Sequence, residues 1–294
     1  MSHGSLGHVS PGSIALCVPC FREAERVPEL AAGLRALEPA PGVILMLDDG
    51  SDDRTGALLR DEGFEVLVHE RNLGLGVGRN TLWRRADSLG MTAVAFIDAD
   101  VVPPVDYLRR VSSFLSESGL AGVGGRNVDS QPRSRSDVWR GRFWPQSLGD
   151  RPLMDAPLLV GACASYRIAA LREVGGFNPD FRTHGEDVEV GRRLRRTGQR
   201  LAYEPSLMVH HRRTDDPRAL LRSCFLHCRE GMRATLATPM ETGEPANLMF
   251  GMGRKLVRAP MAALIKRRDP AEAVLGLAAC SAGLLGYAVG WGRP

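Results

Sequence analysis

The fold is indicated most clearly by the stretch Ala93-Val-Ala-Phe-Ile97, which Asp98-Ala-Asp100 follows at once. A short apolar run without alternation is typical of a strand that is buried on both faces, as in a parallel sheet covered by helices. Ligands of such sheets bind beyond the carboxyl ends of the strands. The two aspartates therefore stand where the sheet would bind a ligand.

Three similar runs precede this one, and segments with helical spacing separate them. The runs cover residues 13–18, 43–47 and 65–68, and the helical segments cover residues 23–37, 54–62 and 80–89. This alternation predicts an α/β fold with a mainly parallel sheet flanked by helices. The second run ends at Asp48-Asp49, which puts a second carboxylate pair at the same edge. Turn formation or helix capping accounts for either pair alone, whereas both pairs together indicate a site.

The carboxylates of Asp98 and Asp100 are hard oxygen ligands suited to Mg²⁺ or Mn²⁺ that carries a diphosphate. Negative charge develops on a diphosphate when it is the leaving group of a reaction, and a divalent cation offsets that charge as a Lewis acid. An Asp-x-Asp pair occurs by chance in many proteins. Its position directly after a buried strand is what indicates a metal site.

A further acidic cluster, Glu186-Asp187, opens a helical run over residues 188–197. The helix dipole favours carboxylates at this end, so capping is one interpretation. The other is a general base that takes the proton of an acceptor hydroxyl. Both interpretations remain open at the level of sequence.

A late strand pattern covers residues 205–211 and ends in two histidines. Alternation puts His211 on the same face as Leu207 and Val209, and His210 on the opposite face. We expect one of the two histidines to face the acidic site as a third metal ligand, although a purely structural histidine fits the same pattern.

Residues 124–155 are rich in Arg, Ser, Gly and Trp and lack a clear period. We expect a long irregular segment, or short strands, that covers the site as a mobile lid. Trp139, Phe143 and Trp144 either stack on a sugar or pack this segment.

The C-terminal part combines positive charge with apolar residues. Residues 212–268 carry 12 Lys and Arg against 5 Asp and Glu, which fits anionic lipid, a phosphorylated acceptor or a solvated helix face. Residues 254–268 have the composition of a helix in a membrane interface. Residues 273–291 contain no charge and would span about 28 Å as a helix, roughly one bilayer core.

Three interpretations of the C-terminal helix remain open: it spans a membrane, lies in the interface, or packs against its own domain. Small residues recur every four positions and would permit close packing. They are Ala278, Ala282, Gly286 and Gly290.

The N-terminus lacks a basic segment followed by an apolar one. We therefore expect a disordered tail over residues 1–12 and a cytoplasmic protein that is peripheral to, or anchored at, the membrane. The six cysteines are expected to be reduced core thiols, because no second pair with metal spacing accompanies Cys17 and Cys20. A net charge of +4 gives no indication of nucleic-acid binding.

Seven motifs occur in an order that resembles family 2 glycosyltransferases, over roughly residues 13–213. They are Cys17-Val-Pro-Cys-Phe-Arg-Glu23, Leu47-Asp-Asp-Gly-Ser-Asp-Asp53, Asn72-x-Gly74 to Arg79-Asn80, Ile97-Asp-Ala-Asp100, Gly175-Gly-Phe177, Gly185-Glu-Asp187 and the strand that ends at His211. The resemblance implies a GT-A, Rossmann-like fold of the nucleotide-diphospho-sugar transferase superfamily over residues 13–213. A helical appendage over residues 214–294 would follow.

The resemblance also implies a nucleotide-sugar pocket. Pro19, Glu23 and Arg79 would line it. Asp49 would read the base, and Asp98 would lie on the ribose side.

For the chemistry, the resemblance implies that Asp100 binds Mg²⁺ or Mn²⁺ and that His211 approaches the metal or the diphosphate. Asp187 would be the catalytic base, with Glu186 beside it. Such enzymes are usually inverting, with in-line attack opposite the departing diphosphate.

Two departures from the family pattern bear on function. Cys20-Phe-Arg22 stands where the family often has Thr or Ala, then Tyr-Asn, so contacts made by the Tyr and Asn positions are open. A Gln-x-x-Arg-Trp motif does not follow Asp187, which favours transfer of one sugar at a time. The acceptor is open, with a lipid-linked or polysaccharide precursor as the expected class. A retaining GT-A transferase, a sugar-nucleotide pyrophosphorylase, and an inactive sugar-nucleotide-binding or membrane scaffold protein are the alternatives.

Overall fold

The structure is a computed structural model of the 294-residue chain. The described residues are 8–116, 119–129, 132–238, 246, 249, 251, 254, 258, 260–267 and 269–292. Strands of the described part form one sheet. In chain order they are β1 Ile14–Cys20, β2 Val43–Asp48, β3 Glu65–Val68, β4 Ala93–Ile97, β5 Val101–Val102, β6 Leu120–Asp129, β7 Cys163–Arg167 and β8 Arg200–His211.

The strand order across the sheet is β3-β2-β1-β4-β7-β6-β8-β5. β1 pairs in parallel with β2 and β4, and β2 pairs in parallel with β3. β7 runs antiparallel between β4 and β6, and β6 returns to parallel pairing with β8. The predicted mainly parallel sheet is therefore confirmed.

Helices cover both faces of this sheet and form a C-terminal layer. In chain order they are α1 Val27–Arg35, α2 Thr55–Asp61, α3 Leu75–Ser88, α4 Tyr107–Ser116, α5 Arg135–Phe143, α6 Ile168–Glu173, α7 Glu186–Arg196, α8 Pro217–Ala237 and α9 Pro270–Trp291. A 3₁₀ turn, Pro11–Ser13, precedes β1, and a π-helical turn, Ala263–Arg267, precedes α9.

The two faces of the sheet carry separate hydrophobic cores, because alternate residues of a strand point to opposite sides. In β1, Leu16 and Val18 belong to the core that α1 and α4 cover, whereas Ala15 and Cys17 belong to the core that α3 and α7 cover. All four side chains are fully buried. Burial on both faces explains why the predicted strands read as continuous apolar runs.

The segment over residues 124–155 is only partly the irregular segment that the sequence led us to expect. β6 extends through it to Asp129, and α5 begins with a capping box in which Ser134 and Asp137 bond each other's backbone N–H groups. The capping box supplies partners for N–H groups that the first turn of a helix leaves unpaired. The described part up to Phe143 therefore belongs to the regular frame of the domain, whereas residues 144–155 are irregular and pair with strands only at isolated bridges.

Two of the three aromatic residues in this segment pack the protein interior. Trp139 is fully buried, its ring lies 5.6 Å from that of Phe143, and it packs over Gly276 of α9. Trp144 is half-buried and lines an open cleft of about 590 Å³. Only Trp144 is thus placed where a ligand could reach it.

The predicted disordered tail over residues 1–12 is wrong for residues 8–12. Val9 is fully buried, and its carbonyl accepts a hydrogen bond of 2.7 Å from the Ser112 hydroxyl of α4. Burying this valine stabilises the tail against α4. Residues 1–7 lie outside the described residues.

Helix α9 packs against its own domain at the small-residue stripe. A Cβ on Gly286 would lie 2.2 Å from the carbonyl oxygen of Phe225, and one on Gly290 would lie 2.4 Å from that of Arg229. Close approach of α9 to α8 therefore requires glycine at both positions. Ala278 and Ala282, also in the predicted stripe, are half-buried.

The opposite side of α9 is exposed and apolar. Val274, Leu277, Leu285 and Trp291 are 69%, 51%, 59% and 45% exposed. By length and composition α9 could also cross a membrane, a property it shares with core helices of soluble proteins. In the segment over residues 254–268, for which an interfacial helix was predicted, residues 255–257, 259 and 268 lie outside the described residues.

Candidate active site

The candidate site lies at the carboxyl ends of the parallel strands. β1 ends beside Pro19, β2 delivers Asp49, and β4 delivers Asp98 and Asp100. Because these strands are neighbours and run in the same direction, their ends share one edge of the sheet. Asp48 has the turn-forming role, since its carboxylate accepts a 3.0 Å hydrogen bond from the backbone of Ser51.

Arg79 of α3 joins the acidic groups of two other elements. Its guanidinium is buried and donates hydrogen bonds to Glu186 of α7 at 2.5 Å and to Asp98 at 3.3 Å. The rings of Phe96 and Phe177 lie 5.7 Å from it and exclude water. A buried cation of this kind needs paired carboxylates to offset its lost hydration. Arg79 therefore fixes where β4 and α7 meet.

Asp98 and Asp100 stand on the turn between β4 and β5 with His211 beside them. The Nε2 of His211 lies 3.2 Å from Asp100 Oδ2, and its Nδ1 lies 3.1 Å from Oδ1 of Asp129. His211 is on the buried face of β8, whereas His210 is half-exposed. The sequence left open which histidine faces the acidic site, and the structure places His211 there.

The charges of this group act on one another. Burial raises the pKa of Asp98, and repulsion from Asp100 and Asp187 acts in the same direction against the attraction of Arg79 and His211.

Asp100 and His211 shift each other in opposite directions. Burial alone would raise the pKa of Asp100, but the hydrogen bond and charge of His211 outweigh it and lower that pKa. Burial likewise opposes the imidazolium, yet Asp100 and Asp129 raise the pKa of His211 to about 9.

Glu186 and Asp187 occupy the first turn of α7 but have different surroundings. Glu186 is buried, and burial raises its pKa to about 7 although Arg79 acts in the other direction. Asp187 is half-buried, and its Oδ2 accepts a 3.1 Å hydrogen bond from the backbone N–H of Gly161. A Cβ on Gly161 would lie 2.7 Å from the Arg79 guanidinium, so glycine is needed between them. Asp187 is the more accessible carboxylate of the two.

Asp49 lies in a neighbouring pocket of about 280 Å³. Its carboxylate accepts hydrogen bonds from the backbone N–H groups of Leu73 (3.0 Å) and Gly74 (2.8 Å), and Nδ1 of His69 lies 2.6 Å from it. Pro19 and Phe21 form the opposite part of the lining. Asp49 thus holds the loop that shapes the pocket and also faces its interior.

Glu23 does not line this pocket, but it is close enough to Asp98 and Asp100 to feel their charges. It pairs with Arg26, and burial together with Asp100 and Asp98 raises its pKa. The predicted site residues Pro19, Glu23, Asp49, Arg79, Asp98, Asp100, Glu186, Asp187 and His211 all lie along this one edge of the sheet.

The residues at Asp100 fit a divalent cation bound jointly with a phosphate. Among the described residues no group of three or more His, Cys, Asp or Glu could hold a metal by itself. Mg²⁺ and similar cations are commonly held by one or two protein ligands plus substrate phosphates. Asp100 and His211 present one oxygen and one nitrogen donor 3.2 Å apart, which matches that mode.

The sequence interpretation missed His69, Asp129, Arg140 and His184. Asp129 follows the strand-end rule that found Asp98, but the glycine-rich β6 was not recognised as a strand. His69 follows β3 directly in the same way. Arg140 and His184 gave no pattern, because their contacts are long-range: Arg140 pairs with Asp215, and the His184 ring lies 5.8 Å from that of His227.

A sequence model of "Glycosyl transferase family 2" matches residues 15–175. The chain belongs to this family. The match begins in β1 and ends shortly after α6, so it includes Asp49, Asp98 and Asp100.

Among curated relatives, a pre-mycofactocin glycosyltransferase of Mycobacterium tuberculosis is 31% identical over 251 residues. The match covers 79% of this chain and 48% of the relative, so the chain spans about half the relative's length. An N-acetylglucosaminyl-diphospho-decaprenol L-rhamnosyltransferase of the same organism is 26% identical over 61% of this chain and 69% of its own length.

Among solved structures, the mannosyltransferase PcManGT from Pyrobaculum calidifontis, in complex with GDP-Man and Mn²⁺, has a TM-score of 0.66. It is 17% identical, and the match covers 97% of this chain and 90% of that one. At this identity the likeness establishes the fold, which is GT-A. Because the match reaches almost the whole chain, it includes the C-terminal helices.

We expect His184→Gln to reduce the acid sensitivity of the fold. Burial, aided by the positive charges of His227, Arg213 and Arg229, lowers the pKa of His184 to about 3. In the unfolded chain His184 has a pKa near 6.5 and binds a proton below that pH. In the folded chain it stays neutral down to about pH 3. The wild type should therefore lose roughly 1–2 kcal/mol of its free energy of unfolding at pH 5 through this residue.

The measurement is the free energy of unfolding in urea at pH 7 and pH 5. The difference between His184→Gln and the wild type should move in favour of the variant as the pH falls. A difference that stays constant between the two pH values would contradict the assignment.

Proposed function

We propose that the protein transfers a single sugar from a nucleotide-diphosphate donor to an acceptor hydroxyl, with inversion at the anomeric carbon and with Asp187 as the base. The observation that carries this proposal is that Asp98 and Asp187 both lie near the buried Arg79 guanidinium and that Asp100 lies near Asp98. The candidate catalytic base Asp187, the acidic pair that would face the diphosphate and a pocket of a size suited to a nucleobase then lie side by side.

The donor would lie along the strand ends. Its nucleobase would enter the pocket of Asp49 and Pro19, and its ribose would lie near Asp98. The diphosphate would then reach Asp100 and His211, which would hold Mg²⁺ or Mn²⁺ with it. When bound, the cation offsets the charge that develops on the departing diphosphate.

In the reaction, the acceptor oxygen forms a bond to the anomeric carbon as the bond from that carbon to the diphosphate breaks. Asp187 takes the proton of the acceptor hydroxyl, and the electron pair of the broken bond leaves with the nucleoside diphosphate. Asp187 is half-exposed and is held by Gly161, which suits a base that meets an incoming substrate. Buried Glu186 would hold Arg79 in place beside it.

Two alternatives remain distinct from this mechanism. A retaining transferase would give a product of the opposite anomeric configuration, which NMR of the product distinguishes. An inactive sugar-nucleotide-binding or scaffold protein would bind donor without turnover. A binding protein has no use for a carboxylate placed as Asp187 is, which favours an enzyme.

For the acceptor, we propose a lipid-linked or polysaccharide precursor presented at the cytoplasmic membrane surface. The related rhamnosyltransferase is named for a diphospho-decaprenol substrate. On this chain, the exposed stripe of α9 and the exposed Met261, Leu264 and Ile265 form an apolar surface. An apolar helix face next to a basic segment is the composition that binds membrane interfaces.

Two variants separate donor binding from chemistry. Asp100→Ala should abolish the extra thermal stabilisation that Mn²⁺ gives with UDP-, GDP- or dTDP-sugars, because one of the two protein ligands is lost. Asp187→Asn should retain that stabilisation but reduce metal-dependent donor hydrolysis by about 10²–10⁴-fold, as expected for loss of a general base.

Asp61→Ala, an exposed change in α2, is the matched control and should behave as the wild type. Hydrolysis by Asp187→Asn at the wild-type rate would remove Asp187 from the chemistry. Unchanged stabilisation of Asp100→Ala would remove Asp100 from the metal site.

The membrane proposal predicts that Leu277→Glu/Leu285→Glu lowers binding to vesicles of phosphatidylglycerol and phosphatidylethanolamine by at least about 10-fold. Burial of each leucine in the interface would otherwise contribute about 1.5–3 kcal/mol to the free energy of binding. Co-sedimentation measures the bound fraction. Val105→Glu, an exposed apolar residue of the catalytic domain, is the control and should bind as the wild type. Equal binding by the double variant would overturn the proposed membrane surface.

A further inference from the structure

His211 is held between two carboxylates by the register of the sheet. Asp129 and His211 are the last residues of β6 and β8, and they are directly paired in the parallel ladder. This pairing places Asp129 Oδ1 3.1 Å from Nδ1 of His211, while Nε2 lies 3.2 Å from Asp100. The two ring nitrogens thus face different carboxylates.

Asp129 is in turn held by a buried arginine. Arg140 of α5 donates from Nη2 to Asp129 Oδ1 at 3.0 Å and from Nε to Asp129 Oδ2 at 3.2 Å. This two-point contact fixes both the position and the plane of the carboxylate. The side chains of Arg140 and Asp129 are 6% and 14% exposed, so water competes little for these bonds.

Arg140 is itself fixed by Asp215, which follows β8. Its Nη1 donates to Asp215, and the backbone N–H of Asp215 donates to Asp137 of α5 at 2.8 Å. Both of these aspartates are buried. The network therefore ties α5 to the segment that leaves β8, directly beyond His211.

Helix α5 is anchored on its other side by α9. Arg142 lies 3.1 Å from Glu272, Arg135 lies 3.1 Å from Asp269, and Trp139 packs over Gly276. The position of Arg140 is thus set from both sides of α5.

We propose that Asp129 and Arg140 are positioning residues that present Nε2 of His211 to a divalent cation shared with Asp100. An imidazole that donates Nδ1–H to a carboxylate keeps its lone pair on Nε2, where a metal can take it. Asp129 acts through His211 and has no contact with Asp100 in the hydrogen bonds of the described residues. This inference rests on the proposed metal-dependent function.

The first test is the affinity for Mn²⁺ in the presence of a nucleoside diphosphate, measured from the EPR signal of free Mn²⁺. UDP, GDP and dTDP serve as the nucleotides. Asp129→Ala should weaken Mn²⁺ binding by about 10–100-fold, the usual effect of removing a carboxylate behind a metal-binding histidine. Asp129→Asn, which keeps an oxygen acceptor for Nδ1–H, should recover part of that loss. Asp155→Ala, a change at an exposed acid that pairs with Arg195 of α7 and with no member of this network among the described contacts, should bind as the wild type.

A purely structural role for Asp129 would lower thermal stability without changing Mn²⁺ affinity, and that outcome overturns the proposal. If the wild type binds Mn²⁺ with none of the three nucleotides, the proposed metal-dependent function fails instead. The two failures are therefore distinguishable.

A second measurement needs no variant at Asp129. Long-range ¹H–¹⁵N NMR of the wild type with Mg²⁺ and the bound nucleoside diphosphate should show His211 as the Nδ1–H tautomer. His211→Gln identifies the signal. A ring protonated on Nε2 would overturn the proposal even if Asp129→Ala does not fold.

Discussion

The burial of the Arg79 guanidinium is the constraint on which the rest of the site depends. A cation removed from water and enclosed by Phe96 and Phe177 is tolerated only where carboxylates pair with it. Glu186 and Asp98 supply that pairing from α7 and β4, which are far apart in sequence. The same contact therefore brings the end of the parallel sheet and the start of α7 to one crevice.

The rest of the site follows from sheet register and from the C-terminal helices. Parallel pairing of β6 with β8 places one carboxylate directly beside His211, and α5 holds that carboxylate from outside the sheet. Because α9 packs on α5 and α8, the C-terminal region is part of the frame around the site. Helix α5 thus connects the apolar C-terminal layer, through Trp139, to the candidate metal position, through Arg140.

Much of the first half of the fold could be predicted from the sequence, because β1, β2 and β4 are buried on both faces and read as plain apolar runs. β6 could not, since Gly122, Gly124 and Gly125 weaken its strand signal. A Cβ on Gly125 would lie 1.5 Å from the carbonyl of Leu207, so the glycine is required by a partner strand about 80 residues away. Asp129 was missed for the same reason, whereas the acids after β2 and β4 were found.

A crystal structure of the chain with Mn²⁺ and a nucleoside diphosphate would show whether Asp100, His211 and Asp187 share one metal-binding crevice. We expect an anomalous manganese peak about 2.0–2.3 Å from a carboxylate oxygen of Asp100 and from Nε2 of His211, with the Asp187 carboxylate facing the same crevice. Manganese bound away from Asp100, or Asp187 turned away from the nucleotide, would contradict this expectation.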